Sequence, residues 1–281
     1  MVCAWDNLLG ILPIWMRRDV DRLGRNDLDE LRLRISMPPE LRKREKIVRL
    51  VRVVTADDLR FCINAATQYS PWLAETAQYG YVTAPGGHRI GICGRLHSSS
   101  GTLTDISSLT SLCIRVAKDF PGTADGYPKN AKSIIILGKP GNGKTTLLRD
   151  LIRCKSEVSG ERVAVVDERE EIFPRTNGAF CFYPGKNTDV LSGCSKSKGL
   201  DMVMRTMGPD TIAVDEITSM NDSQALMHAA WCGVNLLATA HAENCVDLRS
   251  RLVYKDIVES KIFDVALTLR ADKSWYAERL K

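Results

Sequence analysis

The fold is decided by the stretch Ser133-Ile134-Ile135-Ile136-Leu137-Gly138-Lys139-Pro140-Gly141-Asn142-Gly143-Lys144-Thr145-Thr146-Leu147-Leu148-Arg149. An apolar run typical of a buried strand enters a G-x-x-x-x-G-K-T loop, and a helical pattern leaves it. This order of strand, glycine-rich turn and helix is the context in which a P-loop binds phosphate. In such a loop, exposed backbone N–H groups and the helix dipole hold the negative charge.

The motif predicts a role for each of its residues. Lys144 is expected to reach the β- and γ-phosphate oxygens of a nucleotide, and the Thr145 hydroxyl is expected to ligate Mg²⁺. A guanine-reading N-K-x-D motif is absent from the sequence, which favours ATP over GTP. The predicted nucleotide-binding set is Gly138, Lys139, Pro140, Gly141, Asn142, Gly143, Lys144, Thr145 and Thr146.

Length and composition limit the class of protein. A chain of 281 residues is long enough for about two domains, and 44% apolar with 26% charged residues is ordinary for a globular protein. A net charge of +5 is too small to predict a nucleic-acid partner. No apolar run reaches the ~20 residues that span a bilayer. Leu8–Met16 is short, contains Pro13 and lacks a basic leader, so we expect neither a signal peptide nor an anchor there.

The cysteines do not indicate a metal site or a disulfide scaffold. The nine cysteines include no C-x-x-C pair, and we expect them to be small core residues in a reducing compartment.

Residues 1–120 are predicted to form a smaller α+β domain, because helical and alternating patterns are mixed there. The predicted elements are an amphipathic helix at 1–20 broken by Pro13, a strand at 31–35, a helix capped by Thr55, a helical stretch at 70–78, a hairpin at 81–93 and a strand at 112–117. The basic run at 41–52 is either a solvated face or a contact with a membrane surface or a neighbouring subunit.

Residues 121–131 are the predicted linker, since proline and glycine replace periodicity there. From residue 132 to 281, strands and helices alternate, which predicts a mostly parallel α/β sheet. Strands are expected at 133–137, 163–167, 211–215 and 235–240, and helices at 144–155, 197–207 and 219–232.

Polar residues follow three of these apolar strands. Asp215 is expected to hold the Mg²⁺ shell and Glu216 to polarise the attacking water. Asp167 and Glu168 end another strand, and either order water or metal near the γ-phosphate or form a solvated strand end paired with Arg169. His241 follows the third strand. Because ligands lie at the carboxyl edge of such sheets, His241 is a candidate γ-phosphate sensor, the alternative being a structural histidine.

Four arginines are further candidates. Arg205 precedes the strand that ends in Asp215, and either binds phosphate, caps an acid or packs on the surface. Arg89, Arg95 and Arg115 are candidates for a residue that stabilises phosphoryl charge in a neighbouring subunit's site. Nothing in their spacing selects one of the three.

The order of these motifs resembles the ATPases of type II/IV secretion and type IV pilus systems. The resemblance rests on the P-loop, the acids at 167–168, the pattern R-x-x-x-P-D-x-I-x-x-D-E at 205–216 and Thr239-Ala240-His241. Four further stretches carry a more specific resemblance: Tyr79-Gly80-Tyr81, Pro85-Gly86-Gly87-His88-Arg89-Ile90-Gly91, Leu112-Cys113-Ile114-Arg115-Val116-Ala117 and Val166-Asp167-Glu168-Arg169. With them, the chain is similar over about residues 30–265 to the stage III sporulation protein AA family.

The resemblance implies a RecA-like P-loop ATPase core behind the smaller N-terminal α+β domain, in a hexamer that hydrolyses ATP at subunit interfaces. It also implies a cytoplasmic protein of the mother cell, docked on membrane proteins of the sporulation channel. Lys144 and Thr145 match Walker A, Asp167 and Glu168 the Asp box, Asp215 and Glu216 Walker B, and His241 the His box.

The chain departs from the secretion-ATPase pattern at three points. Asp215-Glu216 stands where Gly-Glu is usual, Asp167-Glu168 reverses the usual order of the Asp box, and the four-cysteine zinc module of some relatives is absent. The reversed order leaves open which Asp-box acid does what.

Three other functions stay open. Another P-loop phosphotransferase, such as a small-molecule kinase, would transfer phosphate to an acceptor. A nucleotide-gated assembly or docking protein would bind ATP with little turnover, and Glu216 argues against it. A nucleic-acid translocase would show salt-dependent DNA binding, and only the run at 41–52 favours it.

Overall fold

The computed structural model of the chain describes residues 1–25, 27–44, 46–69, 80–99, 102–176 and 178–280; the side chains of 96–99 and 102–108 lie outside this description. Contacts between residues divide the chain into two compact units, Met1–Asp119 with Pro174–Cys181, and Phe120–Phe173 with Phe182–Lys281. The chain therefore leaves the second unit after Phe173 and returns to it at Phe182. The predicted linker at 121–131 falls within the second unit, and the division into a domain at 1–120, a linker and a domain at 132–281 stays a prediction.

The first unit combines helices with an antiparallel sheet. Its described helices are α1 (Trp5–Gly10), α2 (Ile14–Gly24) and α3 (Ala56–Ala66). Its strands before residue 120 are β1 (Glu30–Arg34), β2 (Glu40–Lys43), β3 (Lys46–Arg49), β4 (Tyr81–Ala84), β5 (His88–Ser99) and β6 (Thr102–Arg115). They pair in the order β3-β2-β1-β6-β5-β4, each pair antiparallel.

Local sequence explains where these elements begin and which face they bury. Pro13 separates α1 from α2, because its fixed φ suits a helix start and its ring cannot continue a helix. Thr55 caps α3 in a reciprocal capping box with Asp58, as a hydroxyl before early acids predicts. In β1, Leu31 and Leu33 are fully buried and their neighbours are half-buried, so the alternating pattern marks a sheet with one covered face. The predicted α+β character of this part is confirmed.

The second unit alternates strands and helices. Its elements before Pro174, where the chain passes to the first unit, are β7 (Ile134–Leu137), α4 (Lys144–Glu157) and β8 (Val163–Asp167). The short hairpin β9 (Arg175–Thr176) and β10 (Ala179–Phe180) belongs to the first unit. After it come β11 (Thr188–Ser192), α5 (Lys196–Thr206), β12 (Thr211–Ile217), α6 (Met220–Trp231), β13 (Asn235–Ala240), α7 (Cys245–Ser250), α8 (Leu252–Glu259), β14 (Val265–Leu269) and β15 (Trp275–Arg279).

The second sheet has the order β11-β8-β12-β13-β7-β14-β15, parallel throughout except for β15. Every residue of β7, β8 and β14 is buried. Because consecutive strand residues point to opposite faces, both faces of this sheet are covered. The predicted mostly parallel α/β sheet is confirmed.

Some expectations need correction. Strands β11, β14 and β15 were not predicted, and the basic run at 41–52 overlaps β2 and contains β3. The helical stretch expected at 70–78 falls outside the described residues. The cysteines are all free, but only Cys62 and Cys245 are buried, so the expectation of core cysteines is wrong for most of them. No helix in the described part of the chain has the length and apolarity to cross a membrane.

Candidate functional site

The carboxyl ends of β8, β12, β13 and β7 meet at one edge of the second sheet, because these neighbouring strands are parallel. The P-loop, the two pairs of acids and His241 therefore converge there, as the sequence predicts. The structure joins Lys144, Thr145, Asp215 and Glu216 to His241 through direct hydrogen bonds and shared neighbours.

The loop between β7 and α4 has the backbone that a phosphate cradle requires. Gly141 and Gly143 have φ values of 78° and 98°, in the left-handed region that side chains disfavour. A Cβ built at Gly141 meets no protein atom within 4 Å, so the loop borders open space at this residue. Lys273, in the turn between β14 and β15, donates to the Gly141 carbonyl and braces the loop. The residues present fit a bound nucleotide phosphate.

Lys144 is buried at the start of α4. Its Nζ donates to the carbonyls of Gly138 at 2.9 Å and Lys139 at 3.3 Å, and to Nδ1 of His241 at 3.2 Å. Burial lowers the pKa of the Lys144 ammonium, and the charges of Glu216 and Asp215 oppose that shift. The ammonium therefore lies at the mouth of the loop, held by neutral acceptors.

Thr145 and Asp215 are joined by a hydrogen bond between their side chains. The Thr145 hydroxyl donates to Asp215 Oδ2 at 2.6 Å, and Thr239 donates its hydroxyl to Asp215 Oδ1. Oxygen donors of this kind suit Mg²⁺, which keeps several waters and phosphate oxygens in its shell. Among the described residues, no group of three or more His, Cys, Asp or Glu is placed to hold a metal. The pair thus fits a Mg²⁺ that the nucleotide itself would help to ligate.

Glu216 occupies a bulge near the end of β12. Val214 pairs with Ala238 and Ile217 with Ala240, so three steps on β12 oppose two on β13. The backbone of Glu216 has a φ of 51°, unusual for a residue with a side chain. Its N–H donates to Thr239 Oγ1 at 2.8 Å, which stabilises the bulge. Bulges re-aim side chains next to active sites, and this one turns Glu216 toward His241.

His241 connects Lys144 to Glu216. Lys144 donates to Nδ1, and Nε2 lies 3.0 Å from Glu216 Oε1. An ammonium has no acceptor, so Nδ1 accepts, and Nε2 carries the proton that is donated to the carboxylate. The Tyr254 hydroxyl fixes the histidine by accepting its backbone N–H at 3.1 Å and donating to the Ile217 carbonyl.

Asp167 organises the loop that follows β8. Its carboxylate accepts the backbone N–H groups of Glu171, Ile172 and Phe173 at 2.8–3.0 Å. Burial raises the pKa of Asp167 to about 6, and the negative charge of Asp215 adds to the shift. Both oxygens of Asp167 thus accept hydrogen bonds from backbone N–H groups. A role of Asp167 near the γ-phosphate stays a prediction.

Glu168 has a different partner. Its Oε2 accepts from Lys196 Nζ at 2.6 Å, and Lys196, the first residue of α5, is buried. Arg169 was one of the predicted partners of the acids that end β8. Its side chain is half exposed, and its Nη1 lies 3.9 Å from Glu216 Oε2. A small cleft is lined by Val166, Asp167, Glu168, Arg169, Glu171, Lys196, Asp215 and Glu216.

The four candidate arginines are divided between the two units, with Arg205 in the second and Arg89, Arg95 and Arg115 in the first. The Arg205 side chain is 75% exposed and pairs with Asp201 one turn earlier on α5, so the structure does not bring it to the site within this unit. Arg89 and Arg115 are register partners on β5 and β6, with Arg89 stacked on the Tyr81 ring, and Arg95 is exposed on β5. Which of them acts in a neighbouring site stays a prediction.

Sequence reasoning gave no role to Lys196, Thr239 or Lys273. A polar residue inside the apolar run of β13 was the available signal for Thr239. Lys196 and Lys273 lie next to the unpredicted strands β11 and β14–β15, so nothing in the sequence pattern placed them at this edge.

The fold defines the class of the protein. The X-ray structure of the Legionella pneumophila ATPase DotB superposes with a TM-score of 0.62 and 15% identity, covering 95% of this chain and 80% of that one. The crystal structure of the pilus retraction motor PilT with bound ADP superposes with a TM-score of 0.65 and 17% identity, covering 92% of this chain and 78% of that one. The chain therefore has the RecA-like fold of secretion and pilus ATPases.

The family follows from sequence. A family model described as Sporulation stage III, protein AA matches residues 6–276. Stage III sporulation protein AA of Bacillus subtilis (strain 168) is 36% identical over 276 residues, which are 94% of this chain and 90% of that protein. The chain belongs to the stage III sporulation protein AA family, as its motifs predicted.

Proposed function

We propose that the protein is a Mg²⁺-dependent ATPase that drives assembly of, or transport through, the channel between mother cell and forespore. The observation that carries the proposal is the hydrogen-bonded series from Thr145 through Asp215 to Glu216 and His241, with Lys144 at its other end. This series supports the proposal because it gathers at one sheet edge an ammonium, a hydroxyl–carboxylate pair and a second carboxylate, the groups that phosphate, Mg²⁺ and an attacking water would need.

The proposed roles follow from the chemistry of each group. Lys144 would exchange its contacts with loop carbonyls for β- and γ-phosphate oxygens, and Thr145 and Asp215 would hold Mg²⁺. The bound metal would neutralise charge on the phosphates. Glu216, whose carboxylate accepts a hydrogen bond from Nε2–H of His241, would orient the attacking water and accept a proton from that water. His241 would report the presence of the γ-phosphate, because it touches both Lys144 and Glu216.

The assembly is also part of the proposal. We infer a homo-oligomer, a hexamer by family resemblance, with Arg89, Arg95 or Arg115 completing a neighbouring subunit's site. The family's name supports a sporulation role, and the proposed location is cytoplasmic, peripheral at the mother-cell membrane through channel proteins. Nucleic acid is not a proposed partner.

A second candidate is a nucleotide-gated docking protein with little turnover. The observation that favours it is that Glu216 is already engaged by His241 and lies near Arg169, while Lys144 is held by loop carbonyls. Hydrolysis requires both groups to change partners. If no partner protein triggers this exchange of hydrogen bonds, the site binds ATP without hydrolysing it.

The test compares wild type, Glu216→Gln and Lys144→Met for ATP binding and phosphate release. Glu216→Gln should lower turnover about a hundredfold or more and keep ATP bound, because it removes the base alone. Lys144→Met should weaken ATP binding. Glu259→Gln, an exposed acid at the end of α8, is the matched control and should behave as wild type. Equal turnover in wild type and Glu216→Gln would contradict the proposal, and tight binding without turnover in wild type would favour the second candidate.

A further inference from the structure

Lys196 is a buried cation that the proposed chemistry has not yet used. It is the first residue of α5, only 5% exposed, with Nζ 2.6 Å from Glu168 Oε2 and 4.0 Å from Asp222 Oδ2. A buried ammonium is costly unless it is paired and hydrogen-bonded. A buried Lys196 does not contribute to solubility, so we look for a role of its charge at this edge of the sheet.

Close packing fixes Lys196 in this position. A Cβ added to Gly199 would lie 2.4 Å from Val166 Cγ1, so α5 approaches β8 at a distance that only glycine allows. Gly199 follows Lys196 by about one turn, and Val166 precedes Glu168 by two residues. The contact between helix and strand thus sets the spacing between the Lys196 ammonium and the Glu168 carboxylate.

Strand register adds a second constraint. Strand β11 runs parallel to β8, with Ser192 opposite Asp167, so both strands end at the same edge. Only residues 193–195 separate β11 from Lys196. The start of α5 cannot move far from Glu168 without breaking this pairing.

The charge of the cleft explains what Lys196 does. Asp167, Glu168, Glu171, Asp215 and Glu216 all line it, and carboxylates this close repel one another. Arg169 is half exposed and nearest to Glu216. Lys196 is the buried cation on Glu168, so it holds that carboxylate in one orientation against the repulsion of the others.

We propose that Lys196 is a positioning residue, which fixes the Glu168 carboxylate so that it accepts a hydrogen bond from the water that attacks the γ-phosphate. This inference rests on the proposed ATPase function and deepens it. It gives the two acids of the Asp box different roles. Asp167 holds the loop after β8 through backbone N–H groups, and Glu168, held by Lys196, contacts the attacking water.

The first test is kinetic. Lys196→Met should lower kcat about tenfold to a hundredfold, as loss of positioning does, with KM within about twofold. Lys196→Arg, which keeps the charge, should recover part of the loss. Lys198→Met makes the same substitution on the exposed face of the same helix and should match wild type. Since Lys196 acts through Glu168, the double variant Lys196→Met with Glu168→Gln should have the kcat of Glu168→Gln alone.

The second test does not require turnover. Binding of ADP and of ADP with aluminium fluoride and Mg²⁺, a mimic of the transferring phosphoryl group, is measured by calorimetry on each variant. Lys196→Met should bind ADP as wild type does and should bind the mimic about tenfold or more weakly. Normal ADP binding also shows that the variant is folded; if Lys196→Met fails this check, Lys196→Arg and Glu168→Gln carry the comparison.

The outcomes separate the two proposals. Wild-type protein that binds neither ADP nor the mimic would overturn the ATPase function, and this inference with it. Wild type that binds both, while Lys196→Met and Glu168→Gln keep full affinity for the mimic, would overturn the role of Lys196 alone. Additive losses in the double variant would likewise show that Lys196 does not act through Glu168.

Discussion

The two sheets of the molecule handle charge in opposite ways. In β1 of the antiparallel sheet, Arg32 and Arg34 alternate with buried leucines, and their partly exposed side chains pair with Glu30 and Glu40. In the parallel sheet, β7 and β14 carry no charged residue at all, and β8 carries one only at its last position. Strands of this sheet that are covered on both faces, such as β7, β8 and β14, admit charge only where they end. Its chemistry is therefore concentrated at one edge.

The largest expected effect tests this difference in burial directly. Ile135→Ala and Ile136→Ala change adjacent residues of β7, and each should destabilise the second unit by about 2–5 kcal/mol, because both side chains are fully buried. In β1, Leu33→Ala should lower the free energy of unfolding by the same amount. Replacing the neighbouring residue, Arg32→Ala, should lower it by less than about 1 kcal/mol, since the ion pair of Arg32 with Glu30 is partly exposed. Urea unfolding of the full chain measures these changes. Equal losses of unfolding free energy for Leu33→Ala and Arg32→Ala would contradict the view that β1 has only one buried face.

A pH-dependent effect of similar size is expected at Asp167. Because the folded-state pKa is raised to about 6, the folded protein binds this proton more tightly than the unfolded chain. Asp167 therefore destabilises the fold above about pH 6, and that penalty disappears as the pH falls toward 4. Relative to Asp167→Asn, wild type should gain up to about 3 kcal/mol between pH 7.5 and pH 4.

Urea unfolding of wild type and Asp167→Asn at both pH values measures the change, and the common response of all other groups cancels in the difference. A stability gap that stays constant, or that moves in favour of the Asn variant at low pH, would contradict the burial of an ionisable Asp167.

Lys144→Met separates stability from function. ATP affinity should fall about a hundredfold, because a charged hydrogen-bonding group to phosphate is lost. The free energy of unfolding should stay within about 1 kcal/mol of wild type, since burial of the ammonium is unfavourable, as its lowered pKa indicates. Fluorescent ATP-analogue binding and urea unfolding on the same preparation test both. A large loss of stability would mean that Lys144 is mainly a structural bridge between loop carbonyls.

The smallest effect is expected at Arg205. Its ion pair with Asp201 is exposed, so Arg205→Ala should change the free energy of unfolding by less than about 0.5 kcal/mol and leave turnover unchanged. Steady-state phosphate release on the assembled protein measures this. A collapse of turnover with normal stability would instead place Arg205 at a neighbouring subunit's phosphate.

The parallel sheet was the easier part to predict from sequence. Strands at 163–167 and 235–240 coincide with β8 and β13, because continuous apolar runs bounded by turn residues have few alternative structures. Strand β11 was missed because none of its residues is buried and its apolar run is only two residues long, with Thr188 and Asp189 before it and Ser192 after it. The assignment of 174–181 to the first unit depends on contacts such as Gly86 with Thr176, 90 residues apart. No local pattern carries that information.

The site shows the same limit. Motif spacing predicted Lys144, Thr145, Asp215, Glu216 and His241, since a P-loop and apolar strands place their next residues at one edge. The different partners of Asp167 and Glu168 could not be predicted, because backbone N–H groups and Lys196 reach them only through tertiary packing. The bulge at Glu216 likewise depends on the pairing of β12 with β13.

The central claim is that this edge hydrolyses ATP in an assembly whose neighbours complete each site. Phosphate release per subunit, measured across a wide range of protein concentration with Glu216→Gln alongside, tests it most directly. We expect turnover per subunit to rise steeply with concentration and to vanish in Glu216→Gln. Turnover that is independent of concentration, or that persists in Glu216→Gln, would contradict the account.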